Sequence, residues 1–388
     1  MGGGQSALEN LEVMTLFGSA YNGKRVLVTG HTGFKGSWLC EWLLGLGAEV
    51  TGLSLPPPTA QSLFSELGLA RRLHHTLGDI QEPDVLREAV KDSKPDFVFH
   101  LAAQPLVRES YRRPRETFSV NAMGTLNLLE ALRDCARPCA TVFITTDKCY
   151  ENREWHHGYR ESDALGGCDP YSASKAAAEL IIASYRHSFF QDHAVKIASG
   201  RAGNVIGGGD WAADRIIPDC IHALRKNKPI LVRNRCATRP WQHVLEPLSG
   251  YLWLGASMSA PKLRQCDLSG LTSAFNFGPN RDSNRTVEEL VEEVLRHWPG
   301  RWRDKTDANA PHEAGLLQLS TDKAAALLRW FPVWSFSEAV AKTVQWYRKA
   351  NSFKHTKEFQ KLTRRQISQY VDQARATRLP WVQPAVPL

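Results

Sequence analysis

The sequence predicts an α/β fold, a doubly wound parallel sheet followed by a smaller C-terminal lobe, and three observations carry that prediction. From Lys24 onward, short apolar β-rich runs alternate with helical stretches, the pattern of βαβ units and a parallel sheet. A glycine-spaced segment, "VTGHTGFKGSW", separates the first run from the first helix. After about Ser199 the alternation loosens into text rich in Gly, Pro, Trp and Arg, as in a lobe built for binding.

The elements follow in order. "RVLVTG" reads as a strand, "SWLCEWLLGLG" as a helix closed by glycine, and "AEVTGLSL" as a second strand. A helical "EPDVLREAVKD", a strand "DFVFHLAA" and a helix "SVNAMGTLNLLEALRDCA" come next. The buried run Ala140 to Ile144 then delivers "TTDKCY", placing Thr146, Asp147 and Lys148 at the carboxyl end of a strand, where such sheets present their chemistry. "DPYSASKAAAELIIASY" opens a helix, with Asp169 as N-cap and Pro170 in the first turn. Helices resume at "TVEELVEEVLRHW", and the end, "ARATRLPWVQPAVPL", reads as an extended Pro-rich tail.

Bulk properties narrow the class. A chain of 388 residues with 43% hydrophobic and 23% charged residues suits a folded, enzyme-sized body. The net charge of +8 points to anionic partners. Its arginines occur in ones and twos, as in "VRESYRRPRE", so phosphorylated small molecules fit better than nucleic acid. Eight scattered cysteines lack zinc-site spacing and read as reduced thiols of a cytoplasmic protein, with no metal expected. The opening residues lack a secretory pattern, and no apolar run reaches the ~20 residues needed to cross a bilayer.

The glycine segment is the first site signal. Gly30, Gly33 and Gly36 sit between strand and helix, where glycine admits a pyrophosphate and the helix start offers free N–H groups. That context, rather than the spacing G-x-x-G-x-x-G alone, marks a dinucleotide loop of the Rossmann type. "GDI" brings Asp79 and Ile80 toward an adenine, and "HLAAQ" sets Leu101, Ala102 and Ala103 against the cofactor. Ser54 stands near the place where an acid usually binds the ribose of NAD. NAD is therefore expected, with NADP left open, because Lys35 would suit an extra phosphate. His31 and His100 read as structural or cofactor-adjacent. The chain accordingly divides into a leader (1–20), a dinucleotide-binding domain (21–200), a substrate lobe with some strands returning to the sheet (201–365) and a tail (366–388).

Tyr171 and Lys175 share a helix face as i and i+4. A neighbouring ammonium and a cationic nicotinamide would lower the tyrosine pKa and let the phenolate take a proton from a sugar hydroxyl. Y-x-x-x-K arises by chance, but not often behind such a glycine loop. At this point the sequence resembles the extended short-chain dehydrogenase/reductase family, through "TGHTGFKG", "HLAAQ", "VNAMGTLNLLEA" and "YSASK". The resemblance covers about Lys24 to Arg365. Thr146-Asp147-Lys148, with "RAGNVIGGGDWAADRIIPD" and "RPWQHVLEPLSGYLWLG", is similar to the family's 4,6-dehydratases that act on CDP-glucose.

That resemblance implies a lyase that makes CDP-4-keto-6-deoxyglucose by internal hydride transfer through NAD and loss of water. Tyr171 would deprotonate the 4-hydroxyl, with Thr146 bonding the same oxygen and Lys175 beside it. Asp147 is the candidate acid for the 6-hydroxyl. Lys148, where most dehydratases have glutamate, is the candidate base at carbon 5. The cofactor set extends to His31, Phe34, Lys35 and Asn121, and the substrate set to Gln104, Asn204, Arg215, Ile217, Arg233 and Arg239. Arg108, Arg201 and Arg233 are equally readable as ion-pair residues. A homodimer or homotetramer, joined through helices such as "VNAMGTLNLLEALRD" and "YSASKAAAELIIASYRHSF", is implied as well. Two alternatives stay open: an epimerase or dehydratase for another nucleotide sugar, and a non-catalytic dinucleotide sensor. The acid-lysine pair speaks against an epimerase, and an intact Tyr-Lys pair against the sensor.

Overall fold

Seven parallel strands form the centre of the molecule. The computed structural model describes residues 15–260, 268–306 and 315–383. In chain order the sheet strands are β1 (Arg25–Thr29), β2 (Glu49–Ser54), β3 (His74–Leu77), β4 (Phe97–His100), β5 (Cys139–Ile144), β6 (Val195–Arg201) and β7 (Ala274–Asn276). Their spatial order is β7-β6-β5-β4-β1-β2-β3, a doubly wound, Rossmann-type arrangement whose direction of travel reverses between β1 and β4. A ligand crevice is expected at that switch point, beyond the strands' carboxyl ends.

β4 and β5 are buried at every residue, as expected of strands covered on both faces. The covering helices include α1 (Phe34–Gly45), α2 (Pro83–Ser93), α3 (Gly124–Arg133) and α4 (Pro170–Phe189). Asp169 caps α4 by accepting from the Ser172 amide at 2.9 Å, with Pro170 opening the helix. Beyond β6 come α5 (Ile216–Arg225), α6 (Leu245–Ser259), α7 (Val287–His297), α8 (Phe336–Ala350) and α9 (Thr356–Ala376). Thr286 and Glu289 form a capping box at the start of α7, the S/T-x-x-E pattern that stops fraying.

Both chain ends differ from expectation. Within the expected leader, Leu16 and Phe17 are buried. Within the expected tail, α9 continues to Ala376 and Trp381 is fully buried. Phe17 and Trp381 stack at 5.2 Å, and Trp381 stacks on Tyr370 at 5.8 Å. A polar, Pro-rich context hid one aromatic whose burial removes ~150–250 Å² from water. Residues 1–14 and 384–388 lie outside the described residues. One continuous apolar core runs from β1 and α1 through α6 and α8 to Trp381. The second lobe therefore shares the core of the sheet.

Candidate active site

A cleft of about 940 Å³ opens along the carboxyl ends of the strands. One end is built by the glycine loop. Gly30 has φ +76°, and a Cβ there would lie 2.6 Å from the Ala102 amide nitrogen, so only glycine lets β1 turn this close to β4. Gly33 precedes α1 with no side-chain cap, leaving the first N–H groups of the helix free to meet an anion. His100 donates or accepts at 2.7 Å with Thr29, whose hydroxyl also accepts from the Ala102 amide at 3.3 Å. Burial pulls the His100 pKa down to about 3, so it is a neutral brace for this corner.

Of the residues expected to meet a cofactor, Gly30, Gly33, Phe34, Lys35, Gly36, Ser54, Asp79, Ile80, Leu101, Ala102, Ala103, Tyr171 and Lys175 line the cleft. Two do not. The His31 ring turns away, bonds His75 at 2.7 Å and packs over Gly52, where a Cβ would fall 2.4 Å from the ring. Asn121 is buried behind the wall, bonding the Gln104 amide at 2.9 Å and the Ser174 hydroxyl at 2.9 Å. The charged neighbours of Lys35 in the cleft are Arg215, Asp147 and Lys175.

The centre of the cleft gathers Thr146, Asp147, Lys148, Tyr171 and Lys175. Thr146 lies two residues beyond β5 and donates to Asp147 Oδ1 at 3.0 Å. Asp147 is 1% exposed, and its Oδ2 has no hydrogen-bond partner among the described residues. Burial pushes the Tyr171 phenol up to about 12, against the lowering effect of a bond from Thr146. The expected lowering is thus not achieved by the protein's own groups, because desolvation outweighs them. Burial brings Lys175 down to about 8, opposed by Glu179, and its ammonium donates to the Ile144 carbonyl at 3.4 Å.

Glu179, one turn beyond Lys175, was missed by the sequence reading, although the i+4 spacing signalled it. It accepts from Thr145 at 2.5 Å, Ser199 at 2.9 Å and Arg201 at 2.8 Å. Burial raises its pKa, but Arg201 and these donors outweigh that and leave it below the usual range. Arg201 is therefore a buried ion-pair residue that fastens β5 to β6 and α4. Gly203 was also missed: it sits directly against the Asp147 carboxylate.

The far wall carries the arginines. Arg215 donates to Asp210 at 2.8 Å, and Arg233 to Asp214 at 2.5 Å and Asp219 at 2.9 Å. Arg108 stands 3.8 Å from the same Asp214 oxygen. Arg239 is 6% exposed and donates to the Thr238 carbonyl at 2.9 Å. These four, with Asn204 and Ile217, line the cleft, and Asn204 Oδ1 is buried with no hydrogen-bond partner among the described residues. Gln104 does not line it: its amide bonds Leu106 and Thr117 and holds the β4 loop in shape. Among the described residues no cluster of His, Cys, Asp and Glu could hold a metal ion, seven cysteines are free thiols, and no helix is long and apolar enough to cross a membrane.

The family model described as GDP-mannose 4,6 dehydratase matches residues 27–343. A CDP-glucose 4,6-dehydratase of Salmonella typhimurium is 46% identical over 334 residues, covering 84% of this chain and 91% of that protein. The UDP-glucose 4-epimerase of Thermus thermophilus, solved in complex with NAD, superposes with a TM-score of 0.70 at 26% identity, over 84% of this chain and 99% of that one. The dTDP-glucose 4,6-dehydratase of Bacillus anthracis, at 20% identity and a TM-score of 0.68 over 84% of this chain and 97% of that one, shares the fold.

Proposed function

This chain belongs to the family described as GDP-mannose 4,6 dehydratase, and on that premise we propose that it is an NAD-dependent hydro-lyase converting CDP-D-glucose to CDP-4-keto-6-deoxy-D-glucose. One observation carries the reading: Thr146, Asp147 and Lys148 face Tyr171 and Lys175 in a single cleft that also holds the glycine loop. The 46% identity to a CDP-glucose 4,6-dehydratase supports the nucleotide and the sugar.

The uncapped start of α1 and the bare Gly30 corner fit a dinucleotide pyrophosphate. Ser54 would hold the ribose, Asp79 and Ile80 the adenine, and Leu101 to Ala103 the nicotinamide side, all of them residues that line the cleft. NAD, when bound, supplies the reversible hydride acceptor of this chemistry. Ser54 bonds Thr32 at 2.7 Å, a neutral pair suited to a free ribose hydroxyl.

Tyr171 takes the proton of the 4-hydroxyl while Thr146 bonds the same oxygen. The 4-ketone then acidifies carbon 5. Lys148 serves as base there, and Asp147 serves the leaving 6-hydroxyl on the acid side. Positioned proton transfers of this kind contribute ~100- to 10,000-fold each. Arg215, Arg233 and Arg239 take the diphosphate, because guanidinium forks match phosphate oxygens. Asn204 and Ile217 border the sugar. In this reading the enzyme is cytoplasmic and homo-oligomeric, and the exposed Met123, Leu180 and Phe189 support a helical contact surface.

The test is incubation of purified protein with CDP-, dTDP-, GDP- and UDP-hexoses, with and without NAD or NADP, read by mass spectrometry. Loss of one water from CDP-glucose is expected. Water loss only from another nucleotide sugar would move the reading to that substrate, and no water loss at all would remove it.

A further inference from the structure

The run Gly207-Gly208-Gly209-Asp210-Trp211 has no task in the chemistry proposed above, yet it is packed on every side. A Cβ on Gly207 would lie 3.0 Å from the tip of the Phe34 ring, and one on Gly208 would lie 2.1 Å from the Trp346 ring. Gly209, at φ +82°, would place one 2.8 Å from Leu63 Cδ1. Phe34 opens α1 directly after the glycine loop, and Leu63 opens the short helix Leu63–Glu66 that follows β2. Both belong to the half of the chain that fits the cofactor.

Hydrogen bonds fix the same seam. Trp38, fully buried one turn after Phe34, donates from Nε1 to the Gly208 carbonyl at 2.9 Å. Tyr347 of α8 donates to the Asp210 carbonyl at 2.6 Å, and Trp211 Nε1 donates to Glu66 at 3.4 Å. Arg225 of α5 covers the Trp211 ring at 4.6 Å. Asp210 itself is buried and lines the cleft. One of its carboxylate oxygens accepts from Arg215 at 2.8 Å and the other from the Ala212 amide at 3.2 Å. Direct contacts therefore run from the first turn of α1, through Gly208 and Asp210, to the Arg215 guanidinium.

We propose that this run is a strut through which bound NAD orders Arg215, so that NAD and the CDP-sugar bind cooperatively, with Trp38 as the positioning residue. The inference rests on the reading of the glycine loop as the NAD site and of Arg215 as a diphosphate contact. No side chain caps the start of α1, so without an anion the turn that holds Phe34 and Trp38 lacks partners for its first N–H groups. A pyrophosphate there fixes that turn. The Phe34 ring and the Trp38 donor pass the constraint to three consecutive glycines, the residue type that loses most backbone freedom on ordering. Ordering them once serves both ligands, and the second to arrive meets a loop already in place.

The experiment is calorimetric titration of CDP into the full chain, stripped of nucleotide, with and without saturating NAD. CDP lacks the sugar, so a contact between sugar and nicotinamide does not enter. For wild type, NAD should tighten CDP binding at least ~5-fold, and CDP should tighten NAD binding by the same factor, because coupling is reciprocal. Amide hydrogen exchange from Gly207 to Trp211 should slow when NAD is added. Trp38→Phe keeps a ring and removes the donor. Its affinity for NAD alone should stay within about 2-fold of wild type, while the coupling falls below ~2-fold. Glu66→Ala removes the acceptor of Trp211 at a half-buried position outside the cleft lining. It should lower the coupling too, and it decides the question if Trp38→Phe does not fold. Equal CDP affinity with and without NAD would overturn the proposal, as would coupling that survives these substitutions unchanged. Absence of CDP binding under both conditions would remove the CDP-glucose reading itself, and this inference with it.

Discussion

Asp147 can occupy its place only because residue 203 has no side chain. A Cβ on Gly203 would lie 1.8 Å from Asp147 Oδ2 and 2.0 Å from its Cγ, far inside van der Waals contact. Gly203→Ala should therefore displace the carboxylate and lower kcat by ~100-fold, the scale of one mispositioned proton transfer. KM for CDP-glucose should change little, and circular dichroism should be unaltered. A variant with wild-type kcat would show that Asp147 does not act from this position. The same close contact explains why sequence reasoning found Asp147 and overlooked Gly203. An acid announces its chemistry, whereas a glycine needed for clearance looks like any loop glycine. Likewise the His31 imidazole, which read as structural or cofactor-adjacent, is absorbed by His75 and the bare face of Gly52.

At the scale of elements, periodicity and caps were legible and the ends were not. α4 begins at Pro170, as its Asp-Pro start signals, and carries Tyr171, Lys175 and Glu179 on successive turns of one face. The fold of the C-terminal segment was hidden because its stability comes from distant rings. Phe17, Trp42 and Tyr370 surround Trp381 at centroid distances of 5.2, 6.2 and 5.8 Å. Trp381→Ala should cost ~3–5 kcal/mol in urea unfolding, as for other large core aromatics. At temperatures where the variant stays folded, its kcat should match wild type. A loss below ~1 kcal/mol would mean that the ring only covers a surface that solvent can fill.

At the scale of the whole molecule, the cleft is lined by charges from both halves of the chain. Arg108, from the segment after β4, and Arg233, from the second lobe, meet on the same oxygen of Asp214. Asp214 stands at φ +62°, a conformation asparagine tolerates as well as aspartate. Asp214→Asn should leave the backbone in place, release the Arg108 guanidinium and loosen that of Arg233, which keeps Asp219 at 2.9 Å, toward a diphosphate. KM for CDP-glucose should then drop by about 2- to 5-fold, the worth of a part-exposed ion pair, and kcat should hold. The drop should shrink at high salt, since such pairs are screened. An increase in KM would instead make Asp214 a support that the arginines need.

What the sequence determined by itself was the parallel sheet, the glycine loop, the Tyr-Lys helix and the position of Thr-Asp-Lys at a strand end. These depend on local periodicity and on residue types with few alternative uses. Only the tertiary structure decided which polar groups face the cleft and which are consumed by one another. It turned His31, Asn121, Gln104 and Arg201 into supports. The physical reason is that a side chain's role depends on neighbours far away in sequence, which supply or withhold its hydrogen bonds and its water. Spacing along one chain carries no record of them.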